Sequence, residues 1–262
     1  MSVSITSTQN PRVKQLVALQ KARERKKSGT FLIEGVREVS LAQQGAIEIL
    51  EIYQCEDLFE PDPAYPIALD GVTTYHITKD IFTKVAYREG SGGVLAVAKT
   101  PQKTLNQLTS TATPLYLVLE KVEKPGNIGA VLRTADAAGV DGLIICDPAT
   151  DLFNPNIIRA SLGCLFTVPT AVCSNEELTA FFSQNNIRSY ATLPAATKIY
   201  SEESYQGAIA ILLGAESTGL SNYWVKHADF QVRIPMAGKI DSLNISNAAA
   251  IFTFEALRQR NL

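Results

Sequence analysis

The first hundred residues alternate between short apolar blocks and amphipathic stretches, which predicts a small α/β unit. The apolar blocks have the length and composition of strands and lie at 31–34, 47–54, 72–77 and 94–98. The amphipathic stretches predict helices at 11–27, 36–44 and 78–87. Residues 100–114 are then rich in Thr, Gln, Ser, Asn and Pro, a composition typical of linkers. We therefore predict one domain at 1–100 and a linker at 101–113.

The rest of the chain contains five nearly continuous apolar segments, which indicates strands buried on both faces. They lie at 115–119, 142–146, 167–172, 189–193 and 208–213. Helical periodicity separates some of them, at 127–138 and 176–184, and predicts a closing helix at 245–260. Alternating strands and helices build a parallel sheet that is covered on both faces. We therefore predict a single α/β domain at 114–262.

Composition narrows the class of protein. A chain of 262 residues that is 46% hydrophobic can bury one or two cores. The polar N-terminus and the lack of an 18-residue apolar run predict a soluble, cytoplasmic protein. His76 and His227 are the only histidines, which argues against a histidine metal cluster and a His-dependent hydrolase. The four cysteines have no C-x-x-C spacing, so we expect reduced, buried thiols and no metal site.

The charge of the chain is unevenly distributed. The net charge is -2, yet residues 11–30 hold seven basic residues and one acid. A basic segment on a mildly acidic protein is typical of nucleic-acid binding, although a solvated helix face would give the same pattern. The residues that we predict to contact RNA phosphates are Arg12, Lys14, Arg23, Arg25, Lys26 and Lys27.

Three polar loops follow predicted strands, where ligands bind in parallel sheets. They span Lys124–Gly129, Gly214–Leu220 and Ile234–Asn244. Each has a purely structural interpretation as well: a turn and helix cap for the first, an exposed acid for the second, and helix caps for the third.

In order and spacing, the three loops resemble the three motifs of the SpoU/TrmH branch of the SPOUT methyltransferases. The motif segments are 127–136, 213–220 and 234–246, and 156–163 matches a segment that the family carries between them. Near the N-terminus, 10–14 and 31–35 resemble the family's substrate-binding domain, a small α/β fold shared with certain ribosomal proteins. Two residues depart from the family pattern: Ser217 stands where glycine is usual, and Lys124 where a polar or acidic residue is common.

The resemblance implies a knotted methyltransferase domain that binds S-adenosylmethionine and forms a homodimer through its C-terminal domain. It implies a set of catalytic residues: Arg133, Asn127, Glu216, Ser242 and Asn244. It also implies a set of cofactor contacts: Gly214, Ile234, Leu243, Leu193 and Met236.

The implied reaction is 2′-O-methylation of a ribose in RNA, with large-subunit ribosomal RNA as the favoured substrate. Because a guanidinium stays protonated, we expect Arg133 to donate hydrogen bonds to the developing oxyanion or to a phosphate. The alternatives are a tRNA 2′-O-methyltransferase, a non-catalytic RNA-binding ribosome-assembly factor, and a small-molecule enzyme of flavodoxin-like layout. The sequence does not identify the modified nucleotide, and leaves open whether the modification serves ribosome maturation or antibiotic resistance.

Overall fold

A computed structural model describes residues 3–87, 90, 92–108 and 111–260. Positions 109 and 110 of the predicted linker, the first two residues of the first predicted domain and the last two of the second lie outside the described residues. The strands are β1 (Val3–Ile5), β2 (Thr30–Glu34), β3 (Ile49–Gln54), β4 (Thr73–Ile77), β5 (Val94–Lys99), β6 (Leu115–Glu120), β7 (Gly142–Cys146), β8 (Thr170–Cys173), β9 (Arg188–Thr192), β10 (Lys198–Ile199), β11 (Ile209–Leu213) and β12 (Phe230–Arg233).

The helices are α1 (Pro11–Ala18), α2 (Ala22–Ser28), α3 (Val36–Gln44), α4 (Lys79–Val85), α5 (Pro125–Ala138), α6 (Pro155–Ala160), α7 (Cys164–Thr167), α8 (Asn175–Asn185), α9 (Asn222–His227) and α10 (Ile245–Gln259). The chain divides into two compact units. The first contains 1–102 and 151–167, and the second contains 103–150 and 168–262.

The first unit is built on a mixed five-stranded sheet with the order β1-β4-β3-β5-β2. The strands β1, β4 and β3 are parallel, and β5 runs antiparallel to both β3 and β2. Its core includes apolar side chains of α1, such as Val13 and Leu16, as expected of an amphipathic helix.

The predicted single helix at 11–27 is wrong, because the structure contains two helices there. The backbone of Lys21 is extended between α1 and α2. At this break, Nη1 of Arg25 donates hydrogen bonds to the carbonyl oxygens of Leu19 and Gln20, at 2.8 and 2.9 Å. The buried guanidinium thus satisfies carbonyl groups that a continuous helix would have used internally.

The segment 151–167 packs within the first unit, although the sequence prediction had placed it in the second domain. The ring of Phe31 lies 4.5 Å from that of Phe153 and 6.1 Å from that of Phe166. At the end of α3, Gly45 lies so close to Phe166 that a Cβ atom would come within 2.0 Å of the Phe166 carbonyl oxygen. Aromatic packing and this close backbone approach therefore hold the segment in the first unit.

The second unit is built on seven parallel strands in the order β10-β12-β9-β11-β6-β7-β8. Every residue of β6, β7 and β11 is buried, which confirms the prediction of strands covered on both faces. Part of the predicted linker also belongs here. The carbonyl of Lys103 accepts a hydrogen bond from the Val172 amide, and Leu108 joins the core of the second unit.

The parallel α/β architecture predicted for the second half of the chain is therefore confirmed. The sequence prediction omitted the short elements β1, β10, β12, α6, α7 and α9. Across the described part of the chain, none of the helices combines the length and apolar character needed to cross a bilayer.

Candidate active site at the carboxyl ends of four parallel strands

The three loops singled out in the sequence meet because of the strand order in the second sheet. The strands β12, β9, β11 and β6 are adjacent, and all run in the same direction. The loops that leave their carboxyl ends therefore project from one edge of the sheet. This edge brings together segments that are separated by more than a hundred residues in the sequence.

A cavity of about 570 Å³ opens at this edge, within the second unit. Its volume falls in the range of small-molecule sites. All five residues predicted to contact the cofactor line it: Leu193, Gly214, Ile234, Met236 and Leu243. Leu213, Val232 and Phe252 add apolar surface, and Thr192, Thr218 and Arg233 add polar groups.

The loop from Gly214 to Leu220 folds back on itself to form one wall of the cavity. The amide of Gly219 donates a hydrogen bond to the carbonyl of Ala215, at 2.7 Å. A Cβ atom on Gly214 would lie 2.1 Å from backbone atoms of Gly219 and Leu220. Glycine at 214 is thus required by the shape of the loop itself, besides any contact that it makes with a ligand.

The carboxylate of Glu216 is the common acceptor that joins the three loops. It accepts hydrogen bonds from the ammonium of Lys124 and from the amide of Asn127. It also accepts one from Nδ2 of Asn244, at 3.0 Å. That same Asn244 amide group lies 3.3 Å from Oδ1 of Asn127. One carboxylate therefore ties together the loops that follow β6, β11 and β12.

The charge on Glu216 is favoured by its partners. The hydrogen bond from Lys124, with a further one from Asn127, holds the pKa of Glu216 below its usual value. The carboxylate is therefore ionised at neutral pH and accepts from all three groups. Lys124, which departs from the family pattern, supplies the cation in this arrangement.

Asn244 both caps a helix and contacts the other site loops, the two roles that its sequence context allows. Its Oδ1 atom accepts from the Ser246 amide at 2.9 Å and so caps α10, while its Nδ2 atom faces Glu216. Asn127, in contrast, lies inside the first turn of α5, and Lys124 occupies the cap position. The exposed Ser242 lines the cavity, and its hydroxyl lies 3.0 Å from a carboxylate oxygen of Asp241.

Arg133 lies apart from the other predicted catalytic residues. It is exposed on α5 and is not among the described residues that line the cavity. The structure therefore brings together Asn127, Glu216, Ser242 and Asn244, but does not bring Arg133 into contact with them within one chain.

The predicted RNA contacts divide into buried and exposed side chains. Arg25 is 4% exposed, and its Nε donates to Asp151 at 2.6 Å. Its role is to hold the first unit together, so its assignment as an RNA contact is corrected. Arg12 is exposed, but it pairs with Glu51 and stacks 4.6 Å from the ring of Tyr75.

The remaining predicted RNA contacts are exposed on α1 and α2: Lys14, Arg23, Lys26 and Lys27.

Within the described ranges, no cluster of three or more His, Cys, Asp or Glu side chains suits a metal ion.

Sequence reasoning missed several residues of the site. Thr192 and Arg233 line the cavity from β9 and β12, but no sequence motif marks them. From the sequence, Lys124 is only a departure from the family pattern, whereas in the structure it pairs with Glu216. Glu120 does not line the cavity, but a carboxylate at the end of an otherwise apolar strand is a sequence signal for a buried polar role near the site.

Two relatives cover nearly the whole chain. The 23S rRNA (guanosine(2553)-2′-O)-methyltransferase RlmP of Bacillus subtilis is 30% identical, over 95% of this chain and 97% of the relative. The 23S rRNA (uridine(2479)-2′-O)-methyltransferase of Streptomyces viridochromogenes is 31% identical, over 97% of this chain and 92% of the relative.

A solved structure agrees with this likeness. The SpoU methyltransferase AviRb of Streptomyces viridochromogenes, in complex with AdoMet, matches with a TM-score of 0.87 at 30% identity, over 96% of this chain and 98% of that one. Residues 10–96 match the MRM3-like substrate binding domain. Residues 114–254 match the SpoU rRNA Methylase family, and the chain belongs to that family.

Proposed function

We propose that this protein transfers a methyl group from S-adenosylmethionine to a ribose 2′-hydroxyl of RNA, and that the RNA is that of the large ribosomal subunit. The observation that carries this proposal is the convergence of Asn127, Glu216 and Asn244 at the edge of a cavity lined by all five predicted cofactor contacts. Membership of the SpoU family, and relatives whose names specify 23S rRNA 2′-O-methylation, support the choice of reaction and substrate.

The cavity suits S-adenosylmethionine in size and in chemistry. Its walls combine apolar side chains, such as Leu193, Ile234 and Leu243, with the backbone of the Gly214–Leu220 loop. Apolar side chains can cover the faces of adenine while backbone groups accept and donate hydrogen bonds at its edge. Bound there, the cofactor supplies a methyl group activated by a sulfonium.

The polar residues of the site have the task of placing a ribose hydroxyl against that methyl group. Asn127, Ser242 and Asn244 offer amide and hydroxyl groups that can hold the sugar. The ionised Glu216 fixes the two amides in place. Arg133 stabilises the negative charge that develops on the attacking oxygen, or binds a neighbouring phosphate.

A second copy of the chain supplies Arg133 to this site. Arg133 is exposed on α5, and α10 packs against α5. Phe254 on α10 is 50% exposed, and Ile251 and Leu257 are only partly buried along the same face. A partly exposed apolar face on α10 and an exposed arginine on the helix that packs against it support a symmetric dimer formed through the C-terminal domain, in which each chain contributes to the other's site.

We include a trefoil knot in the proposal. From β11 the chain moves outward past β9 to β12, and α10 then returns to pack against β11 and α5. This return towards β11 and α5 supports a carboxyl end threaded through the preceding loops, an arrangement that is rare in proteins.

The first unit serves to grip RNA. Lys14, Arg23, Lys26 and Lys27 present positive charge to solvent on two successive helices. The match of this region to a substrate-binding domain supports the role. A cytoplasmic location, where ribosomal RNA is found, is part of the same proposal.

The proposed reaction is tested by incubating the protein with S-adenosylmethionine carrying a labelled methyl group and with 23S rRNA, 16S rRNA or bulk tRNA. We expect label in a ribose 2′-O-methyl group of 23S rRNA alone. Label in tRNA alone would support the tRNA enzyme instead. If the protein binds RNA but calorimetry detects no binding of S-adenosylmethionine, a non-catalytic assembly factor would be supported instead.

The shared site is tested by mixing two inactive chains. We expect Arg133→Ala and Asn244→Ala each to lose about 100-fold or more in kcat as homodimers. The first removes the group that stabilises the charge on the attacking oxygen, and the second removes a group that holds the ribose in place. The mixed dimer is isolated through two different tags. In one of its sites, Asn244 of the Arg133→Ala chain meets Arg133 of the Asn244→Ala chain. This site keeps both residues, so about half of the wild-type activity should return. A mixed dimer as inactive as its parents would contradict a site completed by the partner.

The RNA grip is tested by the salt dependence of binding. Replacing Lys14, Lys26 and Lys27 by glutamine should reduce the slope of log K against log salt by roughly 0.7–0.9 for each phosphate that the protein no longer neutralises. Lys198→Gln, which removes an exposed cation paired with Glu203 in the second unit, is the matched control. An unchanged slope in the triple variant would show that α1 and α2 do not contact phosphates.

A further inference from the structure

Glu120 is a buried carboxylate that the proposed reaction does not use. It ends β6 and is 1% exposed. Its Oε2 accepts from the backbone amide of Ser221 at 2.7 Å, and its Oε1 accepts from the Ser221 hydroxyl at 2.5 Å. Nδ2 of Asn175 donates to the same Oε1 at 3.2 Å. A carboxylate is costly to bury, and three donors at one site offset that cost.

Ser221 marks the end of the loop that carries Glu216. The loop starts at the end of β11 with Gly214 and finishes at Leu220, which is buried in the core. Ser221 then occupies the cap position of α9. The first end of the loop is therefore fixed by the sheet, and its far end is fixed by the hydrogen bonds from Ser221 to Glu120.

Asn175 extends the same network to the neighbouring strand. Its side chain donates to Asp147 at 2.6 Å and accepts from the thiol of Cys146 at 3.3 Å. It is 6% exposed and is the first residue of α8. The network thus anchors the carboxyl ends of β6 and β7 and the start of α8 to the end of the Glu216 loop.

We propose that Glu120 is a positioning residue for the cofactor site: through Ser221 it fixes the Gly214–Leu220 loop, and so sets both the cavity wall and the place of Glu216. The inference rests on the proposed function. Glu120 itself is not among the described residues that line the cavity, so its effect on the cofactor passes through the loop.

A second carboxylate in the same unit, the more exposed Asp229, provides a control for the loss of the same kinds of hydrogen bond. Oδ2 of Asp229 accepts from the Ser189 amide at 2.8 Å and from the Ser189 hydroxyl at 2.7 Å. Glu120 likewise accepts from the amide and the hydroxyl of one serine, Ser221. Ser189 lies near the start of β9, and Asp229 directly precedes β12. This pair therefore lies at the amino ends of the strands, away from the site loops.

The experiment compares Glu120→Gln with Asp229→Asn in the full chain, at a temperature where both are folded. Both should lower the thermal midpoint. Only Glu120→Gln should raise the Kd for S-adenosylmethionine, about tenfold or more. The new amide group must face a donor, either the Ser221 amide or the Asn175 side chain, and the charge to which Ser221 donates is lost, so the loop is held less firmly. Hydrogen exchange should also quicken at the Gly219 amide in this variant alone.

Equal Kd values for wild type and Glu120→Gln, with unchanged exchange at Gly219, would overturn the inference. So would equal losses of affinity in Glu120→Gln and Asp229→Asn. If Glu120→Gln does not fold, Ser221→Ala replaces it, since this variant removes one hydrogen bond and should give a smaller change in the same direction. A wild-type chain that does not bind S-adenosylmethionine would instead overturn the proposed function, and the inference with it.

Discussion

The site depends on one carboxylate that three loops share. Lys124, Asn127 and Asn244 all donate to Glu216, although Asn127 and Asn244 are 117 positions apart in the chain. An ionised acceptor can hold several donors at once, and the ammonium of Lys124 favours the ionised form. The orientation of both amides therefore follows from the charge on Glu216.

This arrangement is possible only because the strand order places the loops side by side. The parallel strands β6, β11, β9 and β12 deliver their carboxyl ends to one edge. Behind that edge, buried hydrogen bonds at Glu120 hold the Glu216 loop, while the apolar strands below leave little freedom to shift. In the first unit, too, one charged side chain connects several segments. The buried Arg25 on α2 donates to carbonyl groups that follow α1 and to Asp151.

Much of the fold could be predicted from the sequence, because long apolar strands have an unambiguous pattern. The strands β6, β7 and β11 lie within a residue of their predicted bounds. The short strand β12 was missed because only Val232 of its four residues is buried, so it has no usable periodicity. The break between α1 and α2 was missed because it depends on a hydrogen bond from Arg25, which no local pattern reveals.

The candidate site shows the same limit. Motif spacing identified the residues that converge on the cavity, since loops after parallel strands share an edge. It could not separate Arg25, which is buried, from the exposed Lys26 beside it, because a basic run does not reveal which side chain faces the core. Nor could it show that Arg133, which belongs to the first motif and lies on α5, is not among the described residues that line the cavity of its own chain.

The central claim, that the loops act as one unit through Glu216, is tested most directly by a double-mutant cycle. The kcat/KM for RNA methylation is measured for Asn127→Ala, Asn244→Ala and the double variant. Because both amides act through the same carboxylate, we expect the double variant to lose far less than the product of the two single losses. Losses that multiply fully would show that the two residues act independently, and would contradict the account.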